Sequence, residues 1–257
     1  MKKILLLALP LAWCGATNAQ TAAQKSAARQ TFARFRALNQ SQKLDTPAAR
    51  ALVTGEARAY VKAPQLGPMS APDALVFPSP TRAVARVQGL DERGQPLMDV
   101  YFTLQREGAN WKISALRALA LTGIPTMARD ELKAKPNPTP QERDELANLN
   151  LLLSLDADLK RHFTTNQGAF EQLARAASRA NSPDAPKQLK ILQRQLHLAQ
   201  NAPRAAPGGS REFIVGGMTD NLVGYGYSPS SALPPISVED YIWVERLSPH
   251  WYLFRTT

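Results

Sequence analysis

The sequence is poor in the residues that most often build metal and nucleophilic sites. It contains one cysteine, Cys14, and three histidines among 257 residues. Because Cys14 falls in a leader segment described below, the mature chain is predicted to form no disulfide and to hold neither a cysteine nucleophile nor a cysteine metal site. His162, His197 and His250 fall on different predicted elements, and none lies at metal-ligand spacing from another. We therefore expect no bound metal or cofactor, and the sequence shows no catalytic motif.

Long apolar runs are also scarce, and the one that is present lies at the N terminus. A short basic start precedes an apolar run over residues 4–13, and small residues follow up to Ala19. This three-part pattern is typical of a secretory signal, so we expect residues 1–19 to be a signal peptide. The bulky Trp13 before Cys14 argues against a lipoprotein signal. The mature protein is then expected in the periplasm, with secretion as the alternative, and without a transmembrane segment, which needs about 20 apolar residues.

Acidic residues are outnumbered by basic ones, 21 to 31, which gives a net charge of +10. The excess is spread along the chain without the dense basic patches of nucleic-acid-binding proteins, so we expect no nucleic acid partner. For an exported protein, the available anions are lipid head groups, lipopolysaccharide, cell-wall polymers or an acidic protein. Solubility alone also explains the charge. Hydrophobic residues make up 44% of the chain, a proportion that predicts a folded protein.

Proline-rich segments divide the chain. Three prolines within five residues, at the end of segment 133–140, stop a helix or a central strand, so we place a linker there. The predicted organisation is a first domain over residues 20–132, this linker, and a second domain over residues 141–257. A further segment with proline and glycine, 202–210, is predicted to be a flexible loop within the second domain.

The first domain is predicted to place helices before strands. Ala28, Phe32, Phe35 and Leu38 recur at helical spacing. The segments that follow alternate between apolar and polar residues, and polar connections containing glycine join them, as in antiparallel hairpins. The predicted helices span residues 22–42 and 48–61, and the predicted strands span residues 82–90, 96–105 and 111–118.

Two amphipathic helices followed by a strand meander resemble the nuclear transport factor 2-like fold, also called cystatin-like. The stretch Asp99-Val-Tyr-Phe-Thr-Leu-Gln-Arg-Glu-Gly-Ala-Asn-Trp-Lys-Ile113 is similar to the paired strands that close such domains in many exported bacterial proteins. The resemblance implies a pocket between the helices and the curved sheet, with Tyr60, Tyr101 and Trp111 as candidate lining residues, although such aromatic side chains also fill cores. Some members are isomerases or dehydratases with an Asp and a His in the pocket. The lack of histidine in this segment argues against that activity.

The second domain is predicted to be rich in helices and to end in antiparallel strands. Thr139 and Glu142 form a helix-capping signal, and aromatic and β-branched residues near the C terminus favour strands. This C-terminal segment resembles that of a group of uncharacterised exported proteobacterial proteins with a similar Trp-Tyr-Leu motif, a resemblance that implies no activity. The predicted helices span residues 139–177 and 186–199, and the predicted hairpins pair 212–216 with 221–227 and 237–247 with 251–256.

Two surface features of the second domain are candidates for binding. The predicted helix 186–199 carries Lys187, Lys190 and Arg194 beside a leucine face, the pattern of a helix that lies on an anionic surface. The alternative is that this helix buries its leucines and leaves its basic residues in solvent. Asp220 and Asn221, at a predicted hairpin turn, are the second candidate, and turn chemistry alone also explains them.

Taken together, these patterns predict an α+β protein with N-terminal helices packed on a curved antiparallel sheet, followed by a helix-rich domain that ends in antiparallel strands. The function that we expect is binding without catalysis, by an exported protein that recognises a partner protein or a component of the cell envelope. The alternative is a small-ligand carrier or a pocket enzyme in the first domain. A structural subunit of an envelope assembly is a third possibility. The sequence does not choose the partner or the oligomeric state.

Overall fold

Helices and antiparallel sheets alternate along the chain. The computed structural model describes residues 21–62, 66–119, 122–179 and 184–257. Within these residues the chain is α+β, as predicted, with N-terminal helices, a first antiparallel sheet, a run of helices and a second antiparallel sheet. The predicted signal peptide lies outside the described residues. No helix in the described part of the chain is long and apolar enough to cross a membrane.

The N-terminal helix α1, Ala22–Gln40, follows the helical spacing of its apolar residues. Thr21 begins the helix with a reciprocal capping box, which satisfies backbone donors that have no partner inside the helix. The buried side of α1 faces the first sheet, where the rings of Phe32 and Phe35 lie 5.1 and 5.8 Å from the ring of Phe102. The first core therefore lies between α1 and this sheet.

The predicted second helix, 48–61, is wrong in its C-terminal part. Helix α2, Pro47–Ala51, ends early, and a 3-10 turn follows at Gly55–Ala59. Between these two elements, Val53 forms a bridge with Ile113 of the first sheet. Backbone groups next to Val53 therefore form hydrogen bonds with a distant strand, in place of the bonds that a continued helix would have formed.

The first sheet is an antiparallel meander of β1, β2, β3 and β4 in that order. The three predicted strands correspond to β2, β3 and β4, whereas β1 was not predicted because it contains Pro78. An edge strand tolerates proline, since one of its sides needs no ladder donor. The strands span β1 Ala74–Ser79, β2 Arg82–Leu90, β3 Pro96–Glu107 and β4 Asn110–Ala118.

Side chains of the first sheet alternate between an apolar and a charged face. The face toward α1 holds apolar side chains such as Ala85 and Phe102. The opposite face carries Arg86 directly across from Tyr101, with Asp99 two residues before Tyr101 on the same strand. Because alternate residues of a strand point to opposite faces, one sheet supports both the first core and a polar contact on its other side.

The middle of the chain is helical, but in shorter pieces than predicted. In place of one helix over residues 139–177, α4, α5 and α6 are separated by breaks at Leu153 to Leu155 and at Asn166. Helix α3 was not predicted, and it packs against α4. The helices span α3 Gly123–Ala134, α4 Pro140–Leu152, α5 Asp156–Thr165, α6 Gln167–Ser178 and α7 Ala185–Gln195.

The second sheet has the strand order β5-β6-β7-β9-β8, with neighbouring strands antiparallel. Both predicted hairpins are present, and the pairing of β7 with β9 joins them. The segment 202–210, predicted to be a flexible loop, instead contains β5, which pairs with β6. The strands span β5 Arg204–Ala206, β6 Ser210–Met218, β7 Asn221–Tyr227, β8 Tyr241–Arg246 and β9 Trp251–Thr256.

A second core lies between helices α5, α6 and α7 and one face of the second sheet. Phe170 and Leu173 of α6 are fully buried in it beside Trp251 of β9. The rings of Phe170 and Trp251 lie 5.2 Å apart in an edge-to-face arrangement, which is a favourable geometry for aromatic pairs. These apolar contacts hold the helices to the second sheet.

Candidate functional site

The face of the first sheet turned away from α1 packs against β8 of the second sheet. The rings of Tyr101 and Trp243 lie 5.4 Å apart, and Val84 and Ile242 are buried beside them. The guanidinium of Arg86 lies over the Trp243 ring, 5.1 Å from its centroid, in a cation–π contact. The contact between the sheets therefore combines a small apolar cluster with charged side chains.

Asp156 is the centre of a buried ion-pair network at this contact, formed with Arg86, Asp99, Tyr101 and Arg255. The Asp156 carboxylate is fully buried and accepts hydrogen bonds from Arg86 Nη1 at 3.1 Å, Tyr101 Oη at 2.7 Å and Arg255 Nε at 2.8 Å. These donors come from β2, β3 and β9, and Asp156 is the first residue of α5. One carboxylate therefore ties both sheets to the helical segment.

Asp99 supplies a second carboxylate to the network. Its Oδ2 accepts the backbone N–H of Asp156 at 2.5 Å and lies 4.0 Å from Arg255 Nη2. That N–H is in the first turn of α5, where a helix offers no internal acceptor. Arg255 Nη2 also donates to the carbonyl oxygen of Ser154 at 3.3 Å. The buried charges of Asp99 and Arg255 are thus paired, as buried charges must be.

Arg86 extends the network toward the surface. Its Nε and Nη2 each donate to Asp73 at 2.9 Å, and its Nη1 also donates to Glu245 at 2.8 Å. Glu245 in turn accepts a hydrogen bond from Lys160 Nζ at 2.8 Å. Burial acts to lower the pKa of Arg86, but the bond to Asp73 and the charges of Asp156 and Glu245 raise it above its usual value. Arg86 therefore remains a cation.

The two central carboxylates have pKa values that are shifted in opposite directions. Burial acts to raise the pKa of Asp156, but the charges of Arg255 and Arg86 hold it below its usual value. Burial, and then the negative charge of Asp156, raise the pKa of Asp99 to about 6. The network therefore contains one carboxylate that stays ionised and one that takes up a proton in mildly acidic solution.

Replacing Asp99 with asparagine is expected to change how stability depends on pH. Because the pKa of Asp99 rises from 3.8 to about 6 on folding, the folded protein binds more protons between these values, and this group lowers the stability as pH rises through that range. Asp99→Asn removes this decrease. The difference in unfolding free energy, variant minus wild type, should therefore increase by about 1–3 kcal/mol as the pH is raised from about 4 to about 8. Urea unfolding of both proteins measures the gain. A difference in unfolding free energy that does not change with pH contradicts the raised pKa.

A cavity of about 210 Å³ lies beside the network, and we call it the junction cavity. Its wall comes from the start of β3, from α3, from the connection between α4 and α5, and from β9. Asp99, Arg129 and Arg255 form its charged part. The apolar part is formed by Leu97, Met98, Leu119, Leu152 and Leu153, and the hydroxyl groups belong to Thr122, Thr126 and Ser154.

One apolar side chain of the cavity wall is exposed, and two more are exposed elsewhere on α3. Leu97, which is part of the wall, is 56% exposed, and Ile124 and Met127 are 60% and 67% exposed. The last two lie on α3, but on a different side of that helix from Thr126 and Arg129, which line the cavity, because helix residues one or two positions apart do not share a face. Leu97 therefore gives the cavity wall an exposed apolar side chain, as binding sites often have.

Tyr60, Tyr101 and Trp111 do not line a common pocket, which corrects the arrangement inferred from the family resemblance. Trp111 is buried in the core beneath α1, and Tyr60 packs against the same core. Tyr101 lies on the opposite face of the sheet and bonds to Asp156. The error arises because Tyr101 is adjacent to Phe102, which faces α1, so the alternation of the strand turns Tyr101 away from it.

The basic residues Lys187, Lys190 and Arg194 are exposed on α7. The leucine face of this helix is turned inward, since Leu192 and Leu196 are buried in the second core. Burial of the leucines with the basic residues in solvent is the second of the two arrangements that the sequence left open for this helix. The leucines stabilise the protein itself and are not presented to a membrane.

Asp220 and Asn221 lie at the turn between β6 and β7. The Nδ2 atom of Asn221 is 3.4 Å from the carbonyl oxygens of Ala118 and Thr256. The carbonyl oxygen of Asp220 accepts a hydrogen bond from Thr256 Oγ1. Ala118 and Thr256 end β4 and β9, so the turn has a structural role at the junction of the two sheets.

Folding brings His162 and His197 together, with ring centroids 6.3 Å apart. His162 Nδ1 lies 3.2 Å from Tyr225 Oη, and its ring packs edge-on against Phe170. Burial, and then the proximity of His197, lower the pKa of His162 to about 4, so this imidazole is neutral near pH 7. Within the described ranges, no three or more His, Cys, Asp or Glu side chains are grouped so that they could hold a metal ion.

Sequence reasoning missed the charged residues of the buried ion-pair network, although it named Tyr101 for another role. Arg86 lies between two buried apolar residues of β2, and Arg255 follows four buried residues of β9, Trp251 to Phe254. Asp156 follows a leucine-rich segment in the same way. A charge placed within a run of buried residues must find a buried partner, and this was the signal that could have identified these positions.

No family model, curated protein or solved structure matches this chain. The function is therefore argued from the buried ion-pair network and from the junction cavity that it borders.

Proposed function

We propose that this protein binds a small ligand in the junction cavity and does not catalyse a reaction there. The observation that carries the proposal is the composition of the cavity, in which an apolar wall that includes the exposed Leu97 meets the charged pair Asp99 and Arg255. Ligand sites are typically concave and mostly apolar, with a few fixed polar groups and a titratable residue of shifted pKa. The sequence favours recognition of a partner protein or an envelope component, and a small-ligand carrier, with other lining residues, is its alternative.

The bonding of the network favours binding over catalysis. Asp156 Oδ1 and Oδ2 both accept hydrogen bonds from buried donors, and Arg255 is held by Asp156 and Ser154. Asp99 already accepts the backbone N–H of Asp156. A general base must reach the proton that it removes, whereas these groups are engaged in holding the wall of the cavity.

Two surfaces that the sequence favours, the sheet face with Tyr101 and the leucine face of α7, are covered. The face of the first sheet that carries Tyr101 is covered by the second sheet, and the leucines of α7 lie in a core. Lys187 and Lys190 remain exposed and can attract an anionic envelope component without forming a concave site. The exported location and the nuclear transport factor 2-like resemblance stay predictions, and binding in the junction cavity depends on neither.

Filling the junction cavity is expected to abolish binding. Thr126 lines the cavity, and Met127 is exposed at the next position of the same helix. Thr126→Trp therefore places an indole in the cavity, whereas Met127→Trp places the same group in solvent. A set of anionic, neutral and cationic organic molecules, each of about five to nine non-hydrogen atoms, can be screened by saturation-transfer NMR. We expect at least one to bind the wild type and Met127→Trp, and to bind Thr126→Trp at least about tenfold more weakly.

Circular dichroism and urea unfolding establish that both tryptophan variants are folded. The proposal is overturned if no molecule of the set binds the wild type. It is equally overturned if the molecules that bind the wild type bind Thr126→Trp with the same affinity, because they then occupy another site.

A further inference from the structure

We infer that the junction cavity takes a small organic anion, with its charged group at Arg129 and an apolar chain against the leucine side chains of the wall. The simplest such ligand is a short linear carboxylate. This inference rests on the proposed function, since it names the class of ligand for the same cavity.

Arg129 is the cation that can turn toward a ligand in this cavity. Its side chain is 27% exposed, and its Nε and Nη2 both lie 2.9 Å from one oxygen of Asp130. Asp130 is the adjacent residue of α3 and is itself 58% exposed. An ion pair of this exposed kind contributes little to stability, so a carboxylate inside the cavity can compete with Asp130 or bind alongside it.

The other two charged groups of the wall do not cancel the attraction of Arg129 for an anion. Asp99 and Arg255 carry opposite charges and lie within 4.0 Å of each other, so they largely compensate one another. Arg129 is therefore the cation of the cavity wall whose acidic partner, the exposed Asp130, does not itself line the cavity. Thr126 lies one turn before Arg129 on the same face of α3 and also lines the cavity, where its hydroxyl can donate to the same anion.

The size and lining of the cavity limit the rest of the ligand. Its volume of about 210 Å³ corresponds to about seven water molecules at about 30 Å³ each. Met98, Leu152 and Leu153 line it, and apolar surface of this kind favours methylene groups over hydroxyl groups. A carboxylate with a short unbranched chain satisfies both the volume and the lining.

Pentanoate and pentanamide test the charge of the ligand, because they have nearly the same shape and about seven non-hydrogen atoms each. Titrations followed by protein NMR, in low salt near pH 7.5, give both affinities. We expect the wild type to bind pentanoate at least about tenfold more tightly than pentanamide, as expected when a charged hydrogen bond is added. Arg129→Gln should remove this difference by weakening pentanoate alone, and Arg129→Lys should restore part of it.

Arg161→Gln is the matched control. Arg161 also pairs with an acidic neighbour on its own helix, Asp158, at 2.8 Å, and its side chain is 75% exposed. We expect this variant to bind pentanoate as the wild type does.

The possible failures are distinguishable. Equal affinities for pentanoate and pentanamide, or an unchanged pentanoate affinity in Arg129→Gln, overturn the assignment of an anion. The proposed function survives that result if Thr126→Trp still abolishes the binding of neutral molecules. If neither pentanoate nor pentanamide binds, the anion assignment fails, and the screen of all charge classes then decides the proposed function separately.

Discussion

Replacing Asp156 with asparagine is expected to lower the free energy of unfolding by about 3–5 kcal/mol, the usual loss when one partner of a buried ion pair is removed. The Asp156 carboxylate accepts hydrogen bonds from Arg86, Tyr101 and Arg255. An amide in its place is neutral and offers one acceptor oxygen. The arginines then remain buried with less compensating negative charge, which is the larger part of the expected loss.

Urea unfolding followed by tryptophan fluorescence measures this loss, and Asp158→Asn is the control. Asp158 lies two residues later on α5 and pairs with Arg161 at the surface, so its replacement should change the unfolding free energy by less than about 1 kcal/mol. Equal losses in the two variants would show that the network stabilises the fold no more than an exposed pair does.

The same substitution bears on the junction cavity because the network and the cavity share side chains. Asp99 and Arg255 belong to the cavity wall, and Arg255 is held in position by Asp156. The charge at the base of the cavity therefore depends on a residue that does not itself line it. Stability and ligand binding are expected to be linked through Asp156.

Strands and helix starts could be predicted where a few neighbouring residues form the sequence pattern that determines them. β2 and β9 occupy the same residues in the sequence-based prediction and in the structure, because alternating or aromatic-rich segments bounded by polar turns are typical of strands. Thr21 and Thr139 mark the starts of α1 and α4, with capping boxes in both cases. A few neighbouring residues determine each of these features.

The helices that were predicted too long show where local patterns fail. Segment 139–177 has the composition of one helix, but it breaks before Asp156, whose backbone N–H is accepted by Asp99. Segment 48–61 breaks where Val53 contacts Ile113. In both cases a partner distant in sequence decides the backbone conformation, which is the ordinary way that tertiary contacts override helix propensity.

The candidate site could not be predicted because its contacts join residues far apart in sequence. Asp156 lies 70 positions from Arg86 and 99 positions from Arg255. A single sequence indicates that a charge within a buried run needs a partner, but it does not identify that partner. Tyr101 shows the limit clearly, since its ring was predicted to line a pocket, whereas its hydroxyl donates to Asp156 in the structure.

The second large effect is expected for Gly226→Ala in β7. A Cβ atom at this position would lie 2.0 to 2.5 Å from ring carbons of Tyr252, which is paired with Gly226 on β9. This is far inside the contact distance of two carbon atoms, about 3.5–4.0 Å. Tyr252 is fully buried, with its hydroxyl 3.4 Å from Glu212 Oε1, so its ring has little room to move. We expect a loss of about 3 kcal/mol or more, at the upper end of the range for overpacked cores.

Gly168→Ala on α6 is the same chemical change, but we expect it to raise the unfolding free energy. A Cβ there meets no atom within 4 Å, and alanine is more favourable than glycine by about 0.5–1 kcal/mol in a helix interior. Because Gly168 is the second residue of α6, we expect a gain at or below the lower end of this range. Urea unfolding should therefore show one destabilised and one stabilised variant. If both were stabilised, the Tyr252 ring would have to move aside without loss, and close packing would not explain why glycine occurs there. Gly224 is likewise paired with Phe254, and a Cβ there would meet the backbone oxygen of Phe213 at 2.5 Å and the Phe254 ring at 2.8 Å. The expected result would therefore extend to both glycines of the Gly-Tyr-Gly sequence of β7, which leave room for the aromatic rings of β9 and, at Gly224, for the backbone of β6.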